Sequence, residues 1–408
     1  MIKKILKLFL LVFLGLLTLE LLIYFTAPVY DFPVPQPFSG EKIYSPYEGM
    51  DSNHWKKANF HFHANAWGGL TSGRNNTVEE FWKTYKKLGY DVPCISDYQQ
   101  INTFNKDSLF YIPAYEHGFG LRKKHQMLIG AKKVLWLDYS IFQNRNHKQH
   151  ILNLLRDRSE IVAIAHPDWE GGYSADDMKH LSNYDLIEVL DNNWRSVPLW
   201  DAALSSGHPV FILADDDAHD ISNPYQIGRC CTFINAPSLN SAELIKALKE
   251  GKAFGAEIYM STGETFDEKA ERARKIPVLK SVEVRNDTLW IKASREAVKF
   301  VFIGQNGKTK KLVRFKNTAW YKIQPEDTYI RTEIMFFNRF GGAGTIFYLN
   351  PVFRYNGVHP VNAVQAEINY PRTWILRLLS IPSLIVLIVF VFYRRNLKTK
   401  KNIPDERR

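Results

Sequence analysis

Cysteine is nearly absent. Three occur in 408 residues, and two of them, Cys230 and Cys231, are adjacent. No disulfide framework and no Cys-x-x-Cys zinc site can be drawn from such a set, even for a domain facing an oxidising compartment. Cys94 falls in an apolar run and is assigned, like the other two, to packing rather than nucleophilic chemistry. Also missing is a strong charge of one sign over the middle of the chain. Of the net +11, Lys3, Lys4 and Lys7 carry three and the tail after Tyr393 carries five, so three remain for everything between. A centre so nearly balanced, with no basic stripe interleaved with aromatics, argues against nucleic acid as the partner. No repeat of solenoid period is visible. A hydrophobic content of 45% with 23% charged residues excludes a mostly disordered chain.

Two long apolar runs are present. Ile5 to Phe25 follows Met-Ile-Lys-Lys, carries only Lys7 near its start and Glu20 near its far end as charges, and is long enough to span a bilayer. Phe25-Thr26-Ala27-Pro28 offers no small-residue cleavage pattern, so residues 1–27 are expected to be an uncleaved anchor. The second run, Trp374 to Tyr393, is followed by Arg394, Arg395, Lys398, Lys400 and Lys401. Basic residues on the outer side of each run predict a two-pass protein of the cytoplasmic membrane. Both termini, including a basic tail over 394–408, then lie in the cytoplasm and the central region is extracytoplasmic.

Residues 28–57 contain Asp31-Phe-Pro-Val-Pro-Gln-Pro-Phe38 and are expected to form an extended linker. From 58 to 260, short apolar runs ending at His61, Asp97, Glu116, His166, Glu188 and Asp215 alternate with helical patterns such as Val78 to Leu88. Such alternation predicts βα units around a parallel barrel, in which catalytic residues gather at the strand ends. Over 276–356 the pattern becomes period-two, with turns such as Gln305-Asn306-Gly307, and a small antiparallel β-sandwich is expected there.

The strand ends carry the chemistry. His61-Phe62-His63 places two imidazoles on one face of an extended segment, where they can hold one cation. Ser96-Asp97, Glu116, His125, His166-Pro167, Glu188 and Asp215-Asp216-Asp217-Ala218-His219 follow at or just past the other strands. Neutral imidazoles with carboxylates suit zinc, iron or manganese, and a carboxylate between two cations can bridge them. Such a pair converts water to hydroxide near neutral pH and clamps the attacking and leaving oxygens of a displacement.

This set resembles the PHP family, named for polymerase and histidinol phosphatase domains, over about Asn59 to Ile258. The resemblance implies an α/β fold with a distorted (β/α)7 barrel; the apolar runs and the period-two pattern add the β-sandwich after it and a transmembrane helix at each end. It implies two or three divalent metal ions (Zn, Mn or Fe) on His61, His63, Glu116, His125, His166 and Asp217, with Glu116 as the shared ligand. Two departures weaken the third position: Ala64 to Gly69 holds no further His or Asp, and Tyr98 stands where an imidazole is usual. Asp97 and His219 are then left as catalytic candidates, in acid or orienting roles.

Arg122, Arg195 and Arg229 are candidates for substrate phosphate, since guanidinium forks match phosphoryl oxygens. The expected activity is a metal-dependent phosphoesterase, a phosphatase or phosphodiesterase acting on a phosphorylated small molecule or an envelope-derived substrate at the outer membrane face. The alternatives are an amide or ester hydrolase of envelope glycans and a catalytically decayed, membrane-tethered scaffold.

Overall fold

The computed structural model describes residues 2–70, 76–259, 263–337, 344–357 and 365–400. The chain divides into two compact units. One comprises 1–32, 143–150 and 366–408, and the other 33–142 and 151–365.

In the first unit, Ile2–Thr26 is one helix whose leucines and phenylalanines are exposed along most of its length. Among the described residues it is the one helix long and apolar enough to cross a bilayer. A second helix runs Tyr370–Lys400 with Pro382 inside it. Proline there removes a backbone donor and favours a bend. The strand Tyr30–Asp31 pairs antiparallel with Glu367–Ile368, and Arg377 donates to the Thr26 carbonyl at 2.6 and 3.1 Å. The end of the expected tail, 401–408, lies outside the described residues.

In the second unit, seven strands follow one another round a ring in chain order: Trp55–Asn59, Val92–Pro93, Ala114–His117, Gln126–Ala131, Ser159–Ile164, Leu186–Leu190 and Phe211–Ala214. Two of the contacts in that ring are single bridges, Tyr98 with Glu116 and Phe62 with Ala218. The uniformly parallel barrel expected from the sequence needs correction, because Gln126–Ala131 runs antiparallel to both neighbours. Its connection from Ala114–His117, residues 118–125, is too short for a helical crossover. Reversal has a consequence for chemistry. The start of this strand, at His125, comes to the rim where the other strands end.

A separate β-sandwich over 276–356 also needs correction. Leu279–Arg285, Thr288–Gly304, Lys308–Lys322, Tyr329–Met335 and Ile346–Tyr355 belong to the same ten-stranded sheet as Trp55–Asn59. The junction is Ile346–Tyr355, which pairs with Ala253–Glu257. This strand is buried at seven consecutive positions, Phe347 to Phe353, as a central strand covered on both faces must be. Phe300, Phe302, Ile334 and Phe347 accordingly share one core with Phe62, Phe81, Tyr85 and Phe254.

Nor is 28–57 a free linker. Lys42–Tyr44 adds to the edge of Ile346–Tyr355, Phe38 stacks on Phe353 at 4.5 Å, and the Tyr47 hydroxyl donates to the Ala253 carbonyl at 2.9 Å. The prolines themselves hold an extended, half-exposed path, with Val34, Gln36 and Pro37 open to solvent, and packing begins at Phe38.

Phe347 touches Phe233, Phe254 and Phe336. Phe347→Ala is expected to cost about 3–5 kcal/mol. It should lower one shared unfolding transition, followed by protease resistance on both sides of residue 276. Two transitions, with only the later one shifted, would reinstate independent domains.

Candidate metal centre

His61 and His63 leave the strand Trp55–Asn59 with alternating side chains, and Phe62 between them points the other way, stacked on Tyr85 at 4.7 Å. Asp215 accepts from the Phe60 backbone N–H at 2.7 Å and fixes this turn from below. Opposite, the run Asp215 to Asp217 divides its labour. Asp216 faces inward and accepts from the backbone N–H groups of Gly228, Arg229 and Cys230 and from the Tyr85 hydroxyl, all at 2.7–2.8 Å. Asp217, at φ 46°, turns its carboxylate to the histidines. His166 also has positive φ, 24°, before Pro167. Residues with such backbone geometry persist where the surroundings hold them, and they concentrate at functional sites.

Glu116 is the hub. Its Oε2 lies 3.3 Å from His61 Nε2 and 3.2 Å from His63 Nε2, and Asp217 Oδ1 lies 3.2 and 3.3 Å from the same two nitrogens. Its other oxygen, Oε1, lies 2.6 Å from His125 Nδ1 and 3.1 Å from His166 Nε2. All six groups are buried. His61 Nε2, both His63 nitrogens, Glu116 Oε2 and both Asp217 oxygens make no hydrogen bond. Orphaned buried polar atoms are costly and rare, and four of these, His61 Nε2, His63 Nε2, Glu116 Oε2 and Asp217 Oδ1, lie together. Four ligand atoms held tetrahedrally at ~2.0–2.1 Å from a cation stand roughly 3.3 Å apart. The spacing of His61, His63, Glu116 and Asp217 therefore fits a divalent cation, and Glu116, His125 and His166 form a second group of ligand atoms within 4.8 Å of one another.

Protonation follows from the same contacts. Burial pushes the Glu116 carboxyl up, but His125 and His61 override it and hold it well below the usual range. Asp217 behaves likewise under His61 and His219. Burial alone would lower His61, yet Glu188, Asp217 and Glu116 raise it. His63 and His166 are raised in the same way while burial lowers His125, so without a cation it is His61, His63 and His166 whose protons compensate the carboxylates, and binding a cation releases them.

Glu188 supports the cluster from behind. Oε1 lies 2.8 Å from His61 Nδ1 and Oε2 accepts from the His166 backbone N–H at 2.8 Å. A carboxylate on the far nitrogen fixes the imidazole tautomer so that Nε2 faces the cation. Gly118, at φ 130°, allows His125 to approach, since a Cβ there would sit 2.5 Å from His125 Cδ2.

The other candidates fall in different places. His219 reaches the centre, with Nε2 3.2 Å from Asp217 Oδ1 and its ring stacked on His63 at 4.5 Å. Asp97 does not present a free oxygen: Oδ1 accepts from Ala64 N–H at 2.8 Å and Oδ2 from Asn102 at 3.1 Å, so it positions the loop after His63. Arg195 and Arg229 both face Glu257, and Arg195 also donates to backbone carbonyls, so neither guanidinium is directed at the cluster. Arg122 is exposed on the loop before His125. Sequence reasoning left several contributors without a role, Glu188 among them. Tyr98 stacks on His63 at 4.4 Å, and Asn76 donates to the His219 carbonyl at 2.6 Å and to that of His63 at 3.3 Å. Tyr98 was visible as a departure from the motif. Nothing marked Asn76.

A scan against known protein families finds no match, and no curated protein matches. Among solved structures, a two-domain protein from Bacteroides vulgatus containing a predicted PHP-like metal-dependent phosphoesterase is similar at 13% identity and a TM-score of 0.35. The match covers 78% of this chain and 93% of that one.

Glu188→Gln replaces one carboxylate oxygen by an N–H donor, which must face either His61 Nδ1 or the His166 backbone N–H. Metal affinity measured by chelator competition is expected to fall about 10- to 100-fold with the fold retained. Unchanged affinity would remove Glu188 from the site.

Proposed function

We propose that the chain is a metal-dependent phosphoesterase of PHP type, tethered to the cytoplasmic membrane with its catalytic unit outside. The observation that carries this reading is the division of Glu116, with Oε2 turned to His61 and His63 and Oε1 to His125 and His166. One carboxylate serving two groups of buried ligands is the arrangement of a shared ligand, with Asp217 completing the first group. When bound, a pair of divalent cations supplies an activated water and charge neutralisation for in-line displacement at phosphorus. The protein's own groups do the rest. Glu188 and Gly118 hold His61 and His125 in place. His219, whose side chain is 27% exposed beside Asp217, is placed to give a proton to the leaving oxygen. Lys123, its Nζ 4.9 Å above the Trp169 ring that meets His166 edge-on, brings a cation to the rim for phosphoryl oxygens. A decayed scaffold is disfavoured by the orphaned ligand atoms, which would be a pure cost in a protein that bound nothing.

The anchor is the helix Ile2–Thr26, and we assign the second span to 374–393 within Tyr370–Lys400. The antiparallel ladder between Tyr30–Asp31 and Glu367–Ile368 supports a hairpin of helices whose far ends, with Lys3, Lys4, Lys7 and Arg394, emerge on one side.

At least two equivalents of transition metal are expected in protein purified without chelator, with turnover of p-nitrophenyl phosphate. Glu116→Gln should reduce metal content and lower turnover by orders of magnitude while circular dichroism is preserved; near-normal metal and turnover would end the shared-ligand assignment.

A reporter fused after Lys401 should work only if it is one that functions in the cytoplasm. Activity there from a periplasm-only reporter would overturn the topology.

A further inference from the structure

Beside the metal centre, the second unit exposes large apolar side chains on three loops. Trp67 is 47% exposed, Leu70 78%, Phe119 50%, Leu121 78% and Trp136 61%. These residues are linked. The Trp67 and Trp136 rings meet at 6.0 Å, and the loop holding Phe119 and Leu121 is tied to the segment after Trp136. Its ties are the Phe119 N–H to Asp138 at 2.9 Å and the Leu121 N–H to the Ser140 carbonyl at 2.7 Å. They also border the site. Trp67 Nε1 donates to the Tyr98 carbonyl at 2.8 Å, and the Tyr98 ring lies on His63. Phe119 and Leu121 stand on the loop that joins Glu116 to His125.

A contiguous apolar patch of this kind on a soluble surface marks a contact with something apolar. Three features specify a bilayer. Tryptophan with leucine and phenylalanine is the composition of the membrane interface, and the neighbouring Arg122 and Lys123 suit anionic headgroups. The N–H groups of Leu70, Phe119 and Leu121 are already bonded within the protein, Leu70 to the Trp67 carbonyl, so the loops can enter a poorly hydrated layer without leaving these donors bare. The chain also carries a helix of membrane-spanning length, which keeps a lipid surface within reach.

We propose that this rim rests on the bilayer and that the substrate is a membrane amphiphile whose phosphorylated headgroup enters the metal centre from the lipid side. The substrate half of this proposal rests on the phosphoesterase reading, whereas the lipid contact does not. Full-length protein is reconstituted in phosphatidylcholine–phosphatidylglycerol vesicles with a fluorescent nitrobenzoxadiazole label on Leu121→Cys. The comparison is Phe315→Cys, an exposed apolar position on Lys308–Lys322. Cys94, Cys230 and Cys231 are buried, which keeps the label on the introduced thiol. The label at 121 is expected to be quenched several-fold more by lipid-borne nitroxide, and several-fold less by aqueous iodide, than that at 315. Equal quenching at both positions, or iodide shielding at 121 without nitroxide quenching, as a protein partner would give, overturns the lipid contact. Leu121→Asp should then lower the hydrolysis of a vesicle-embedded phosphatidate analogue relative to that of p-nitrophenyl phosphate several-fold; an unchanged ratio overturns delivery from the lipid. If the unsubstituted protein hydrolyses neither compound, the phosphoesterase reading fails, and with it the substrate half, while the quenching still decides the contact.

Discussion

A single buried carboxylate surrounded by four imidazoles organises the second unit. Glu116 lies in the third strand of the ring, and the groups that meet it come from just past the ends of the first and fifth strands, His61, His63 and His166, and from just before the start of the reversed fourth, His125. Two acidic groups in so dry a place could not both remain charged alone. The histidines hold Glu116 and Asp217 ionised, and the carboxylates in turn raise His61 and His63. Charge on each partner is sustained by the other, and on the side of His61, His63 and Asp217 the ligand atoms are poised without being collapsed into ordinary hydrogen bonds, whereas Glu116 Oε1 is hydrogen-bonded to His125 and His166.

Much of this centre was legible in the sequence because its ligands sit at the ends of short apolar runs. A run of β-branched and aromatic residues that stops at His or Asp fixes both the strand and the rim position of the polar group. His61, Glu116 and His166 end such runs, whereas Asp217 and the shared-ligand role of Glu116 came from the family resemblance. Direction was not legible. The loop 118–125 is short enough to force an antiparallel return, yet the alternation of apolar runs reads the same in either sense. The acidic run Asp215 to Asp217 shows a different limit. Three identical side chains at successive positions acquire three roles, because strand alternation and a positive φ at Asp217 aim them at a backbone turn, a set of amides and the histidines.

The later strands were misjudged for a related reason. Period-two patterning with polar turns describes a half-solvated sheet, and the end of Lys308–Lys322 fits it, with Ala319 and Tyr321 buried between exposed neighbours. Ile346–Tyr355 does not, being buried on both faces, and that buried strand is where the two halves of the sheet join. The same pairing explains why the residues that follow the proline-rich stretch are tied down. Lys42–Tyr44 needs an edge, and Ile346–Tyr355 supplies it.

The two single bridges that close the ring lie at Tyr98 with Glu116 and at Phe62 with Ala218. They are its thinnest seams, each held by one residue pair where other neighbours share a ladder. Both coincide with ligand positions, for Phe62 lies between His61 and His63, and Ala218 follows Asp217. A cation held by His61, His63 and Asp217 would act as a rivet across segments some 150 residues apart in the chain. The tolerance of this ring to sequence change at its seams is therefore set by ion occupancy as much as by packing, and an ion-free chain would be expected to open first at the place where its chemistry is done.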